Sequence, residues 1–186
     1  MKKIAIVGLV TTLFGCATLL HAAMPEMPKP VKEHKWLQRF VGEWKSDLKM
    51  YMEPGKPPLT AKCTESYRKL GGFWVVGETK GKMMGQSFEG LLTLGYDPAK
   101  KYFVGSWTDS GTSYLWRYTG ALNGTGRILT LNTEGPCPMK PGKLSKFKEI
   151  IEFHSNNHRT FKSMLQGDDG KWTTMMTIDS RRQKSR

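Results

Sequence analysis

The chain has 186 residues, 38% of them hydrophobic, and carries 29 lysines and arginines against 16 acidic residues, a formal charge of +13. That length supplies one domain with a substantial core. No stretch beyond the N-terminus approaches the roughly 20 apolar residues of a membrane-spanning helix, which excludes a helical membrane protein.

The first residues differ from the rest. Lys2 and Lys3 form a basic start, "IAIVGLVTTLFG" is an apolar run too short to span a bilayer, and "LLHAA" places small residues at Ala22 and Ala23. This three-part pattern is that of an export signal over residues 1–23, so the expected location is periplasmic or secreted. "LFGC" (13–16) also resembles a lipoprotein processing site, with Cys16 bearing the lipid. Phe14 is bulky for that site and the run after Cys16 stays apolar, so cleavage near Ala23 is the reading taken. Removing residues 1–23 deletes Lys2 and Lys3 and lowers the charge from +13 to +11. Such a field favours anionic partners such as membrane surfaces or envelope polymers. An exported chain does not meet nucleic acid. The charges are scattered until "RRQKSR", which fits a solubilising surface.

Residues 24–32 include "MPEMPKP", whose three prolines make an extended tether. The domain proper then runs over 33–182, with 183–186 as a basic tail. From Glu33 to Val41, Trp36, Leu37, Phe40 and Val41 share one face of a short helix, and Gly42 stops it. In "WKSDLKMYM" the period changes to two, with Trp44, Ser46, Leu48 and Met50 alternating against Lys45, Asp47 and Lys49. Further strands are expected at 59–69, 73–82, 87–96, 101–108, 113–120, 127–134, 144–155, 158–167 and 171–180. The clusters between them, such as "YDPAKK", "DSGT" and "GDDGK", are turn chemistry. Asn123-Gly124-Thr125 matches a glycosylation pattern and reads more simply as a type I′ turn. About ten strands joined by short loops predict an all-β, antiparallel up-and-down barrel, because closure removes the edges of so wide a sheet.

Inward residues then decide function. Parity points Trp44, Leu48 and Met50 inward, with Cys63, Glu65 and Tyr67, then Phe88, Leu92 and Leu94. Tyr114, Trp116 and Tyr118 follow, then Leu129 and Leu131, then Phe147, Ile151 and Phe153, and finally Trp172, Met176 and Ile178. Strands 73–82 and 101–108 are apolar on both faces and stay unassigned. An aromatic lining with a few polar groups predicts a pocket for a small apolar or amphipathic ligand. The candidate lining is Trp44, Phe88, Tyr114, Trp116 and Trp172, with Glu65 and Glu78 as polar anchors. Arg117 or Arg68 could pair with them, although parity sets Arg68 on the face opposite Glu65, and the simpler expectation is that the glutamates sit at the barrel mouth in water. One alternative is an enzyme using a pocket carboxylate, Glu65, Glu78 or Glu149, as general acid or base. The other is a basic module that binds anionic envelope components.

Cys63 and Cys137 form an even pair in an oxidising compartment, so a disulfide and two separate thiols both stay open. No nucleophile elbow, phosphate loop or dinucleotide fingerprint occurs. His34, His154 and His158 would make a metal site only if the helix end met the "SNN" turn, and one of them inside the barrel could ligate haem. Paired methionines, including Met50/Met52 and Met175/Met176, raise Cu(I), which core packing explains more simply.

"VGEW" (41–44), "LGGFWVVGE" (70–78), "LGYDPAKKYFVGSW" (94–107), "GRILTLNTEGP" (126–136), "HR" (158–159), "GDDGKW" (167–172) and "RR" (181–182) resemble the bacterial domain-of-unknown-function family 1579. That resemblance implies a lipocalin-like, calycin-type barrel with no assigned activity. Gly42-x-Trp44 is similar to the lipocalin entrance, where a short helix leads into the first strand. The resemblance implies Trp44 as a floor plug with Arg181 or Arg182 packed over it, and Trp36, Leu37 and Phe40 as a lid. Ten strands rather than eight bring the count nearer the nitrobindin-like barrels, which bind haem.

Overall fold

The computed structural model describes residues 27–53, 55–137 and 140–184; the segment 1–23 expected to be an export signal, Cys16 within it, and the last two residues of the tail lie outside them. A short helix α1 (Lys32–Leu37) and a 3-10 turn (Gln38–Phe40) precede ten strands. These are β1 (Gly42–Met50), β2 (Leu59–Leu70), β3 (Trp74–Met83), β4 (Gln86–Asp97) and β5 (Tyr102–Asp109). The second half comprises β6 (Thr112–Leu122), β7 (Ile128–Cys137), β8 (Lys140–Ser155), β9 (His158–Gln166) and β10 (Trp172–Arg182). Each strand pairs antiparallel with the next, and β1 closes on β10 from Trp44↔Arg182 to Met50↔Met176. The expected up-and-down barrel is the fold.

Alternation explains the wall. On β1, Trp44, Ser46 and Leu48 are buried while Glu43, Lys45, Asp47 and Lys49 are exposed. The two strands whose parity is ambiguous in the sequence place Val75 and Gly77 of β3 and Phe103 of β5 on the inside. Their outward apolar residues are carried in partial exposure, as at Trp74. The Asn123 turn is not the two-residue hairpin expected. Asn123 and Ile128 close a wider loop, and the Asn123 side-chain oxygen accepts from the amides of Arg127 and Ile128.

The helix breaks into a 3-10 turn before Val41, so Trp36, Leu37 and Phe40 turn into one end of the barrel rather than lying across a mouth. Leu37 and Phe40 are fully buried. Trp36 donates from its indole to the Gly126 carbonyl at 2.7 Å. His34, also buried, accepts from the Val31 amide at Nδ1. Its ring hydrogen therefore sits on Nε2 and reaches the Tyr96 carbonyl at 3.0 Å, pinning α1 to β4. Trp44 donates to the Phe40 carbonyl at 2.7 Å, and both rings pack on Phe153. Lid and floor plug are thus one seal at the same end of the barrel, a correction to the expectation of two.

Arg182 holds that seal. Its guanidinium lies 4.2 Å over the Trp44 ring, donates to the Val41 carbonyl, and reaches the carbonyls of Arg39 at 2.7 Å and Asn156 at 2.8 Å. Arg181, one residue earlier, points outward to Asp179 at 3.1 Å. Three carbonyls satisfied by one planar fork require an arginine. Arg182→Ala should lower stability by about 2–4 kcal/mol in urea unfolding, and Arg182→Lys should recover less than half of that loss.

Candidate functional site

The interior divides into two levels. At the sealed end, Leu37, Phe40, Trp44, Val75, Leu94 and Phe103 belong to one buried cluster that fills the lumen. Above them sits a polar layer around Glu65, 5% exposed, and Arg159, 3% exposed. Arg159 on β9 meets the Glu65 carboxylate on β2 at 2.5 Å across the barrel. The same carboxylate accepts from Ser46, from Ser180 at 3.1 Å and from the Tyr67 hydroxyl at 2.7 Å. The guanidinium stacks over Trp44, Tyr67 and Phe40 at 4.9, 5.1 and 5.3 Å. Burial alone would raise the Glu65 pKa, but Arg159 and the hydroxyl donors prevail and hold it below the ordinary carboxylate range.

The other end is less densely packed: Cys137, Phe147 and Leu165 form a second, smaller buried cluster, with Trp116 and Met175 against it. There the inward residues Cys63, Met83, Phe88, Trp107, Tyr114, Trp116 and Met176 are only half-buried. Phe88 stacks with Trp107 at 6.4 Å, and Trp116 meets Tyr114 and Phe147 edge-on at 5.3 and 5.2 Å. Two glycines keep these indoles against the wall. A Cβ on Gly90 would overlap the Trp107 ring, and one on Gly135 would overlap the Trp116 ring, so neither position tolerates a side chain without driving an indole inward. The Trp107 indole is oriented by Asp109 at 2.7 Å. The β6–β7 ladder, Thr119–Leu122 against Leu129–Asn132, is the shortest in the barrel, and the Tyr114 hydroxyl donates to the Glu134 carbonyl beyond it.

Glu149 of β8 lies between the two levels and is 6% exposed. Ser163 donates to its Oε1 at 3.0 Å, while Oε2 is buried with no partner among the described residues. Burial pushes its pKa up to about 8, with the Ser163 hydrogen bond only partly opposing. The carboxyl is therefore mostly protonated at neutral pH. The Tyr118 phenol is raised as well, first by burial and then by the nearby Glu149 and Asp109.

The candidate residues separate accordingly. Phe88, Tyr114 and Trp116 line the open level; Trp44 belongs to the seal, and Glu65 is consumed by the ion pair. Glu78 stands on the outer wall, exposed, 3.8 Å from Lys80. Trp172 is also outward, beneath the Lys148 ammonium at 4.1 Å, because a register shift between Thr174 and Met176 reverses parity along β10. Neither Arg68 nor Arg117 is the partner of Glu65; both are exposed on the outer wall, and Arg159, overlooked in the sequence, takes that place. Trp107, Asp109 and Ser180 were equally hidden, whereas Ser46 already shared the inward parity of Trp44 and Leu48. Cys63 and Cys137 are free thiols, and burial, with Glu65 adding to it, pushes the Cys63 thiol up to about 11. The His154 and His158 rings lie 4.6 Å apart outside the barrel, remote from His34, with His158 bonded to Asp179 at 2.8 Å. No cluster of three ligating side chains forms among the described residues. A groove of about 780 Å³ crosses β2, β1, β10 and β9, but Asp47, Lys49, Lys62 and Lys162 on its walls are outward positions, so it is distinct from the interior.

The two buried carboxyls titrate in opposite senses. Glu65, with its pKa depressed, contributes stability that is present at neutral pH and is lost as pH falls through its folded value. Glu149, with its pKa raised, binds a proton in the folded state that the unfolded chain releases, so its contribution falls as pH rises toward about 8. Glu149→Gln should therefore flatten the decline in unfolding free energy between pH 5 and 8, measured by urea titration at each pH. Glu65→Gln or Arg159→Met alone should cost about 3–5 kcal/mol, and the double variant less than the two losses together.

Similarity to solved structures is consistent with the geometry. The crystal structure of Rv2717c from M. tuberculosis aligns at TM-score 0.54 with 10% identity, covering 84% of this chain and all of that one, and shows a shared fold. A redesigned β-barrel, mFAP0, bound to DFHBI aligns at TM-score 0.44 with 12% identity over 78% of this chain and all of that one. A fluorescence-activating β-barrel designed de novo aligns at 0.43 with 13% identity over 79% of this chain and 96% of that one. No curated protein matches the sequence. Residues 29–182 match the family described as "Protein of unknown function (DUF1579)", and the chain belongs to that family.

Proposed function

We propose that this protein is an exported binding barrel that holds a small apolar or amphipathic molecule in its open half. The observation that carries the reading is the ring of inward, half-exposed aromatics Phe88, Trp107, Tyr114 and Trp116 at one end, above a sealed base. Large aromatic side chains that face a water-accessible lumen gain free energy when an apolar guest displaces that water. The glycines beneath the two indoles favour the same reading, since they leave the lumen clear. Export rests on the basic, apolar and small-residue pattern of residues 1–23. The acid–base alternative retains Glu149 as its one pocket carboxyl, because Glu65 is neutralised by Arg159 and Glu78 lies outside.

Trp107 and Trp116 report on the lumen, so intrinsic fluorescence titrated with fatty acids, hydrophobic amines, aromatic alcohols and haem should show a saturable change for at least one class. A panel without response would contradict the proposal. Gly90→Ala and Gly135→Ala, which drive an indole toward the lumen, should weaken such binding by about tenfold or more while the far-UV spectrum stays native.

A further inference from the structure

The interior of the open half is acidic and aromatic, beneath a surface that is strongly basic. Glu149 pairs with Leu131 of β7 and Ser163 of β9; Thr133 is the next inward residue on β7, and Arg159 lies four residues away along β9, opposite Phe153. Tyr118 of β6, two strands away, is close enough to feel the Glu149 charge, and Tyr114 of β6, Asp109 of β5 and Cys63 of β2 are inward positions on their own strands. Arg159 is the one interior cation among the described residues, and Glu65 together with three aromatic rings occupies it. Asp109 is bonded to the Trp107 indole and the Gly111 amide rather than to a cation. Glu149 therefore has no cation beside it among the described residues, and it keeps a buried oxygen with no partner.

We infer that the open half of the barrel selects small amphipathic cations, a primary or secondary amine on an apolar body, with the Glu149 carboxylate as counter-ion and the Trp107 and Trp116 faces as walls. This inference rests on the ligand-binding reading above and names its ligand class. An ammonium group within reach of Glu149 gives the orphaned Oε2 a donor, and the ring quadrupoles of the indoles attract the same positive charge. An anionic ligand would instead meet Asp109 and Glu149 with no free arginine or lysine. The positive outer surface opposes an approaching cation only over the Debye length of about 8 Å at physiological ionic strength. When the ammonium form binds, the Glu149 carboxyl gives up its proton to the buffer and stays as carboxylate; no bond is otherwise made or broken. Binding of a cation is thus linked to proton release at pH 7.

Isothermal titration with 4-phenylbutylamine, 4-phenylbutan-1-ol and 4-phenylbutyrate separates the outcomes. The amine should bind about tenfold or more tighter than the alcohol and the acid. Its heat should vary with buffer ionisation enthalpy in the sense of proton release. Glu149→Gln, whose amide keeps the acceptor for Ser163, should erase the preference and the release together. Should that variant not fold, the proton release of the unaltered protein decides the matter alone. Equal binding of the three probes, tighter binding of the acid, or an amine preference that survives Glu149→Gln would overturn the inference and leave the binding chamber standing. Binding of none of them, with no response across the wider fluorescence panel, would overturn both.

Discussion

The ion pair between Arg159 and Glu65 is the constraint on which the interior depends. It spans from β9 to β2 through the lumen, and it converts what would be one continuous apolar core into a sealed base and an open chamber. A carboxylate and a guanidinium in that position are costly to desolvate; the pairing, three hydroxyl donors and three aromatic rings offset that cost, although the Arg159 Nε finds no hydrogen-bond partner among the described residues. Glu65 accepts from two serines, a tyrosine and the arginine, and Arg159 lies over three aromatic rings. Below this layer, α1 and Trp44 close the barrel and Arg182 locks them. Above it, the inward side chains are only half-buried apart from the small cluster of Cys137, Phe147 and Leu165.

The two buried glutamates show how environment divides one side chain into two roles. Glu65 is kept ionised by an adjacent cation and three hydroxyl donors, and it is structural. Glu149 sits in the same lumen with a single serine donor, and burial leaves it mostly protonated. A buried polar atom with no partner is rare, because it costs roughly 1–3 kcal/mol. Such a cost is tolerated where a ligand supplies the missing partner, and here the orphaned oxygen lies beneath the aromatic rim.

Much of the fold was legible in the sequence. Alternation along 44–50 and the turn clusters carry the strand count, and the lack of helical pattern between strands dictates closure. The Gly42-x-Trp44 element locates the sealed end. The sequence reading failed where the physics is non-local. Trp172 takes the outer face because a register shift in β10 reverses the parity that its neighbours suggest. Glu78 and Trp74 share an apolar-looking stretch in which inward Val75 and Gly77 carry no stronger signal than the outward residues. Arg159 follows His158 directly after a turn and reads as a solvent residue, although its partner lies 94 positions earlier. One signal was available for it: Glu65 shares the parity of buried Tyr67, and a buried carboxyl needs either a cation, as here, or a proton, as at Glu149.

The division of the lumen is the central claim, and acrylamide quenching of single-tryptophan variants tests it most directly. A variant that keeps only Trp107 should be readily quenched and should become protected when an apolar guest binds. A variant that keeps only Trp44, 1% exposed in the seal, should resist quenching with or without the guest. Equal accessibility of the two indoles, or shielding of both, would contradict the account.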